Sequence, residues 1–308
     1  MQVPRAVGAA AADRARRRAQ FRSRVAEAVL FLAAAFSIVV TIAIVVTLVW
    51  ESVGFFRHIP ILEFFTGGQW SPTFDNANYG IRPLILGTLV TTAIALMVAV
   101  PVGTIAAIWL SEYCPHRVRE VIKPAIELLT AVPTVVFGYF ALSFVTPFLQ
   151  KLYPDLPGAN MLSAGLVMGV MIVPYIASLS EDAMKAVPSH LREGAYALGA
   201  TRVQVACRVV YPAAFSGVTA AYILAISRAL GETMIVAIAA GMQANDTINP
   251  LEPAQTLTAF IVSVSGGDLP HESIGYESIF AAGLTLVLMT LVFNILGYRL
   301  RKRFREAY

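Results

Sequence analysis

Six stretches of this 308-residue chain are long and apolar enough to cross a bilayer, and no other feature narrows the fold so far. A crossing helix needs roughly 20 apolar residues, because about 1.5 Å per residue must cover a hydrocarbon core of about 30 Å. Residues 28–50, 83–111, 128–150, 156–180, 213–241 and 278–298 reach that length. As helices they satisfy their own backbones, which lipid demands, and nothing alternates with the period of two that a β-barrel requires. Charged residues make up 14% of the chain, against about 25% in a soluble domain. The expectation is an all-α integral membrane protein with six transmembrane helices. No intervening segment is long enough for a core of its own. Residues 28–50 read as an anchor: the apolar run exceeds the core of a cleaved signal, and Glu51 and Phe55–Phe56 follow in place of a small-x-small site.

Basic residues set the orientation. Seven Arg lie within residues 1–24, three basic residues within 111–123, four within 181–212 and five within 299–308. The alternate segments hold only Arg57, Arg82 and Lys151. Both termini are therefore expected in the cytoplasm (N-in/C-in), which agrees with an even number of spans. The basic N-terminal run has no interleaved aromatics and leads straight into a span, so it suits anionic lipid headgroups and not nucleic acid. Cys114 and Cys207 fall in segments assigned to the cytoplasm, where no disulfide is expected, and neither has metal-ligand spacing. No metal site, cofactor or catalytic residue is expected. There is no phosphate-binding G-x-x-x-x-G-K-[ST] loop, so nucleotide hydrolysis would belong to a partner. The four histidines lie outside the spans, which disfavours a membrane protease.

The outer loops differ in kind. Residues 51–83 are turn-rich, with Gly67-Gly68, Trp70, Pro72 and Asn76-Ala77-Asn78. Residues 242–277 carry Asp246, Glu252, Asp268, Glu272 and Glu277 without Lys or Arg. Within them Leu257, Phe260, Ile261 and Val264 repeat at helical spacing, which predicts a short amphipathic helix lying on the outer face, most simply a packed loop helix.

The 181–212 segment predicts two short helices meeting at a glycine. Val187-Pro188-Ser189 opens the first, with Ser189 able to cap it. Leu191, Ala195 and Leu198 share one face, Gly199 ends the helix, a second starts at Thr201, and Pro212 opens the next span. The segment resembles the E-A-A-x-x-x-G-x(9)-I-x-L-P loop of ABC importer permeases. Glu193, Ala195, Gly199 and Pro212 match in register, while Gly194, Val209 and Tyr211 depart from it. The resemblance implies a coupling element, with Glu193, Ala195, Leu198, Gly199 and Pro212 docking into a groove on an ATPase subunit.

The fifth stretch holds Arg228 and Glu232. An arginine inside a span costs about 2.5–3.5 kcal/mol on the insertion scale, so it should face protein or a wet pathway. The two are i, i+4 on one helical face, so each can offset the other. The planar guanidinium suits an oxyanion, and the alternative is a structural ion pair. The run Arg228-Ala229-Leu230-Gly231-Glu232-Thr233-Met234, after Pro212-Ala213-Ala214 and Gly217, is similar to the permeases of the phosphate-specific ABC importer, the PstC/PstA pair. So are Gly87-Thr88-Leu89 through Ser111-Glu112-Tyr113 and the run from Ala131 to Gly138. The resemblance covers about residues 84–300 and favours the PstC type. It implies a type I ABC importer permease fold, a phosphate pathway at Arg228, Glu232 and Thr233, a PstA-type second permease, two PstB-type ATP-binding subunits and a PstS-type extracytoplasmic binding protein. The expected organisation is a basic cytoplasmic segment at 1–27, an anchor at 28–50, an outer loop at 51–83, a permease core at 84–300 with its coupling loop at 181–212, and a tail at 301–308. Pro101, Pro133 and Pro174 are expected to permit bends, and Gly165 and Gly169 to allow close helix packing. Another oxyanion, such as sulfate or molybdate, or a transporter acting alone, are the alternatives.

Overall fold

The computed structural model describes residues 5–74, 76–270 and 273–303, with side chains for all of these except 5–19, 268 and 303. The basic side chains expected at Arg5, Arg14, Arg16, Arg17, Arg18 and Arg305 lie outside the described residues. So do Asp268, His271 and Glu272. The chain divides into two units, 1–51 and 52–308.

The first unit is helical. Helix α1 (Arg5–His58) starts in it, and between Gln20 and Trp50 nearly all its apolar side chains are exposed, as expected of a surface meant for lipid or protein.

The second unit carries the rest. After α2 (Ile61–Thr66) comes α3 (Arg82–Ile108), with Pro83 in its first turn, where a missing N–H costs nothing. Helix α3 ends in a widened π turn at Trp109–Tyr113, closed by Cys114 N donating to Trp109 O at 2.8 Å. Next are α4 (His116–Leu128), α5 (Thr134–Phe140) and α6 (Thr146–Gln150). The chain turns by 85° between α4 and α5, so residues 128–150 are not the single straight span that their hydropathy suggests. Pro133 is the cause, since it holds Val132 in an extended conformation. A second π turn at Ala141–Val145 precedes Pro147, where the wider turn makes room for a ring that has no N–H to offer.

Helix α7 (Met161–Lys185) begins five residues later than expected, because the Asn160 side chain caps it by accepting from Ser163 N at 2.8 Å. Four short elements follow: α8 (Ser189–Ala197), α9 (Arg202–Val205), a third π turn at Ala206–Val210 before Pro212, and α10 (Tyr211–Ala213). A 73° bend then leads into α11 (Phe215–Leu230). The expected span 213–241 is broken: α11 stops at Gly231 and α12 (Met234–Ala239) starts afresh. Helix α13 (Leu257–Ser263) and α14 (Ile274–Arg303) complete the unit. Four helices cross-length by themselves are present among the described residues, and six spans result if each bent pair counts as one. No strand occurs among these residues beyond one isolated bridge between Trp70 and Tyr79.

The tightest packing joins α3 and α7. A Cβ on Gly165 would sit 2.7 Å from Ile94 Cβ, one on Gly169 would sit 2.8 Å from the Ala95 carbonyl oxygen, and one on Gly103 would sit 2.7 Å from Ile176 Cβ. Small residues let two backbones approach closely where lipid gives no hydrophobic push. Three apolar clusters surround this pair. One joins α3 and α7 to α11 and α12 around Ala99, Met168, Ile172, Ala225 and Val236. A second, at the end bearing the 51–83 loop, gathers Phe55, Phe64, Trp70, Leu84 and Phe260. A third, at the basic end, gathers Met184, Val187, Val205, Val210 and Val218.

Helix α13 forms where its spacing predicts, and it is a packed loop helix. Leu257, Thr258, Ala259 and Phe260 are all buried, so its first turn is enclosed, while Val262 in the second is exposed. Its first turn is held by the Thr256 hydroxyl, which accepts from Ala259 N, and by the Thr88 hydroxyl, which accepts from Leu257 N at 3.0 Å.

Candidate functional site

The break between α11 and α12 decides what Arg228 and Glu232 can do. On a continuous helix they would face each other. Here Gly231-Glu232-Thr233 leaves helical geometry, and the two make no ion pair among the described residues. Arg228, in the last turn of α11, lies with its guanidinium carbon 5.2 Å from the ring centroid of Tyr175 on α7. A cation over an aromatic face is attracted by about 0.5–2 kcal/mol, and the edge donors of the fork stay free. Arg228 is exposed in this chain, so those donors point to a space that a ligand or a partner can reach. Glu232 is 6% exposed, and its carboxylate accepts from Ile235 N at 3.4 Å at the start of α12. Thr233 precedes α12, with its hydroxyl turned back onto the Gly231 carbonyl at 3.3 Å.

The break is braced from α13. The Thr258 hydroxyl donates to the Glu232 carbonyl at 2.6 Å, which satisfies one of the orphan acceptors that a helix end leaves. Sequence reasoning missed Tyr175 and Thr258. A lone Tyr beside Pro174 and one of several Thr in a loop carry no pattern, and only the fold brings them to the break.

At the basic end, the 181–212 segment adopts the predicted pair of helices. Gly199 has φ +81 and ends α8, a conformation that an L side chain resists. Thr201 caps α9, accepting from Gln204 N while Gln204 reaches back to Thr201 N. Two details differ. Pro188, and not Ser189, occupies the cap position of α8, and no side chain caps it. Leu198 does not share the buried side of α8: Leu191 and Ala195 pack on the third cluster, while Leu198 is 91% exposed. Glu193 and Gly199 are exposed with it, and Pro212 stands in the first turn of α10. The segment therefore presents an outward knob with a bare leucine at its tip.

Around it lies an ion network that the spacing did not disclose. Glu181, fully buried, accepts from Arg119 Nε at 2.6 Å and Lys123 Nζ at 2.8 Å, and Lys123 also reaches Asp182. These bonds fasten α4 to the end of α7. The i, i+4 spacing of Arg119 and Lys123 was the available signal. At the opposite end Arg82 makes a two-bond pair with Asp246, the first of them 3.0 Å from Nε to Oδ1. That guanidinium holds the Asp246 carboxyl below its usual range, and burial pushes the Tyr79 hydroxyl up.

The bundle thus has kinked spans, an outward knob between two of them and, at a helix break, an arginine with no carboxylate partner among the described residues. The family described as "Binding-protein-dependent transport system inner membrane component" matches residues 99–306, and the chain belongs to it. It is 36% identical over 235 residues to the probable ABC transporter permease protein YqgH of Bacillus subtilis, covering 76% of each chain. It is 34% identical over 276 residues to the phosphate transport system permease protein PstC of Mesorhizobium japonicum, covering 82% of this chain and 81% of that one. For PstC 1 of Mycobacterium tuberculosis the identity is 35% over 269 residues, covering 76% and 80%. In fold, a bacterial ABC transporter that imports the acidic polysaccharide alginate is similar over 90% of this chain and 96% of that one, with a TM-score of 0.61 at 16% identity. The inward-facing MetNI methionine ABC transporter gives a TM-score of 0.53 at 16% identity, over 73% and 94%. The chain is an ABC transporter permease subunit, a multi-pass inner-membrane component.

Proposed function

We propose that this permease forms half of the translocation pathway of an ATP-driven importer of inorganic phosphate, with both termini in the cytoplasm. Arg228 carries the proposal. Its guanidinium has no carboxylate partner among the described residues and is held by the face of Tyr175. An arginine held that way keeps its full charge and its fork of donors, the chemistry an oxyanion needs. An arginine locked to a carboxylate would not offer it. The PstC names of its relatives support phosphate as the cargo. A PstA-type permease would supply the other half, two PstB-type subunits the ATP hydrolysis, and a PstS-type protein the phosphate. The knob of Glu193, Ala195, Leu198 and Gly199, with Pro212 behind it, would meet the ATP-binding subunit. Glu232 and Thr233 would shape the pathway at the break without neutralising Arg228.

Arg228→Gln, in a complex that still assembles, is expected to lose phosphate uptake. Normal uptake would refute the pathway role. Competition of labelled phosphate uptake by sulfate and molybdate tests the cargo. A chain that purifies without an ATP-binding subunit and still moves anion in liposomes would favour a transporter acting alone.

A further inference from the structure

Helix α8 stands between α7 and α11 in the chain, and it is fastened to them in different ways. Toward α11 the link is compliant. It passes Gly199 in the left-handed region and then the 73° bend at Ala214. Toward α7 and α3 the link is a polar clamp made by one side chain, Arg192. Its Nη1 donates to the Val187 carbonyl at 2.7 Å, and its Nη2 donates to the Met184 carbonyl at 2.8 Å, both at the end of α7. The same Nη2 reaches Glu112 Oε1 at 2.9 Å, and Nε lies 3.2 Å from Glu112 Oε2. Glu112 belongs to the π turn that ends α3, and Ser111 holds its carboxylate with a further bond of 2.8 Å. The Arg192 and Glu112 side chains are 19% and 7% exposed, so water screens this pair little.

The packing contacts of α8 lie mainly toward α9 and the third π turn. Leu191 and Ala195 pack on a cluster that joins Met184 and Val187 to Val205 and Val210. The directional bonds of Arg192 run the other way, to α7 and α3. Beyond the clamp, α3 and α7 are locked to each other through Gly103, Gly165 and Gly169, so they behave as one body. Helix α11 is joined to α3 by a neutral bond, Thr104 Oγ1 to Tyr222 Oη at 2.6 Å, to α14 by Ser227 to Asn294 at 3.1 Å, and to α7 by apolar packing, where a Cβ on Gly217 would overlap Ala183 Cβ. Tyr175 rides on α7, and Arg228 rides on α11.

We propose that Arg192 is the positioning residue that transmits a displacement of α8 to the α3–α7 pair, and so moves Tyr175 relative to Arg228. The pathway arginine is then held on its aromatic face in one position of α8 and freed in the other. The proposal rests on the reading that α8 meets an ATP-binding subunit. The compliance needed for the motion sits at Gly199 and Ala214, and the stiffness sits at Arg192.

The test uses the assembled complex in proteoliposomes, with Arg192→Gln, Glu112→Gln and the double variant. ATP hydrolysis and uptake of radiolabelled inorganic phosphate are measured separately. Glu112 lies off α8, so its variant reads the clamp without altering the docking surface. Each single variant should keep the ATP-binding subunits and hydrolyse ATP within about two-fold of wild type, while uptake per ATP falls about ten-fold, the range of a coupling energy between sites. The double variant should be no worse than either single, because both remove one interaction. Arg192→Lys, which keeps the charge but not the fork, should recover part of the uptake.

The chain's two cysteines give a readout independent of cargo: Cys114 is at the end of α3 and exposed Cys207 precedes the bend into α11. With cysteine-free partner subunits, spin labels on both should change separation between nucleotide-free and ATP-bound complexes, and Arg192→Gln should abolish the change. Uptake and hydrolysis falling in proportion, single effects that multiply, loss of the ATP-binding subunits in both single variants, or an unaltered spin-label change in Arg192→Gln would each overturn the proposal. A wild-type complex that hydrolyses ATP and shows the spin-label change without moving phosphate would refute the cargo alone, and the spin labels would still judge Arg192.

Discussion

Replacing glycine by alanine at two helical positions should move stability in opposite directions, although the chemical change is the same. On exposed α8, a Cβ at Gly194 would meet nothing within 4 Å. Alanine there gains about 1 kcal/mol of helix propensity with no opposing cost. On α7, a Cβ at Gly169 would sit 2.8 Å from the Ala95 carbonyl oxygen, 2.8 Å from Val98 Cβ and 3.3 Å from Ala95 Cα. Non-bonded carbons prefer about 3.5–4.0 Å, so a contact of 2.8 Å is an overlap on the repulsive side of the potential. A backbone carbonyl cannot rotate aside, so α3 and α7 must part along their shared length. Overpacking of this kind costs about 1–3 kcal/mol, and the upper part of that range applies against backbone. After the propensity gain, Gly169→Ala should lose about 1–2 kcal/mol, which leaves a spread of about 2–3 kcal/mol between the two variants. For a domain of this size that is a difference of roughly 5–10 °C in melting temperature. The assay is stepwise heating of detergent-purified protein, followed by the fraction that stays monodisperse. If Gly169→Ala melts with Gly194→Ala, at or above wild type, α3 and α7 do not approach as closely as described and the packing argument fails.

Glu181→Ala removes a buried carboxylate from beneath Arg119 and Lys123. Breaking such a pair costs about 3–5 kcal/mol when fully buried, and about 2–3 here because the two cations keep about a fifth of their surface in solvent. Protease sensitivity of α4 should rise, and Arg119→Ala in the same chain should restore part of the loss. Gly199→Ala forces φ +81 on a residue with a Cβ and should cost about 1–2 kcal/mol, read as a lower melting temperature and weaker capture of the ATP-binding subunit. The Arg82–Asp246 pair lowers the Asp246 pKa, so its stabilisation is complete above the ordinary aspartate value of 3.8 and is lost as pH falls further through the lowered value. Melting temperatures of wild type and Asp246→Asn should therefore differ at pH 7 and converge in strong acid. Thr258→Val leaves the Glu232 carbonyl without its donor, which costs about 1–3 kcal/mol, and a thermal melt indistinguishable from wild type would count against the brace at the break.

The sequence was most informative where one physical demand dominates. Apolar length located the helices able to cross, four by themselves and six if each bent pair is one span, and the glycine spacing at 165 and 169 anticipated a close helix contact. Gly199 was legible because a helix end followed by a left-handed residue has few other solutions. Reading failed where hydropathy is silent on geometry. Residues 128–150 and, apart from Arg228 and Glu232, 213–241 read as continuous apolar stretches, yet Pro133 turns one by 85° and a three-residue break interrupts the other. The i, i+4 argument for Arg228 and Glu232 presumed a continuous helix, and the break removed its premise. Tyr175, Thr258 and the clamp of Arg192 on Glu112 join residues far apart in the chain, and no local pattern announces such pairs. Leu198 shows the converse error. Its spacing places it with Leu191 and Ala195, but Gly199 turns the chain before it reaches the buried side.

The interruption at Gly231-Glu232-Thr233 also constrains how the protein is made. A continuous helix can enter a bilayer as soon as it is synthesised, because every carbonyl finds its partner four residues on. The Glu232 carbonyl finds its partner on Thr258, in a segment translated later and carried on the far side of α12. Until that segment has folded back against Thr88, the break is unfinished. Completion of this region thus waits on the later segment, and a truncation before Thr258 would leave the Glu232 carbonyl without that donor.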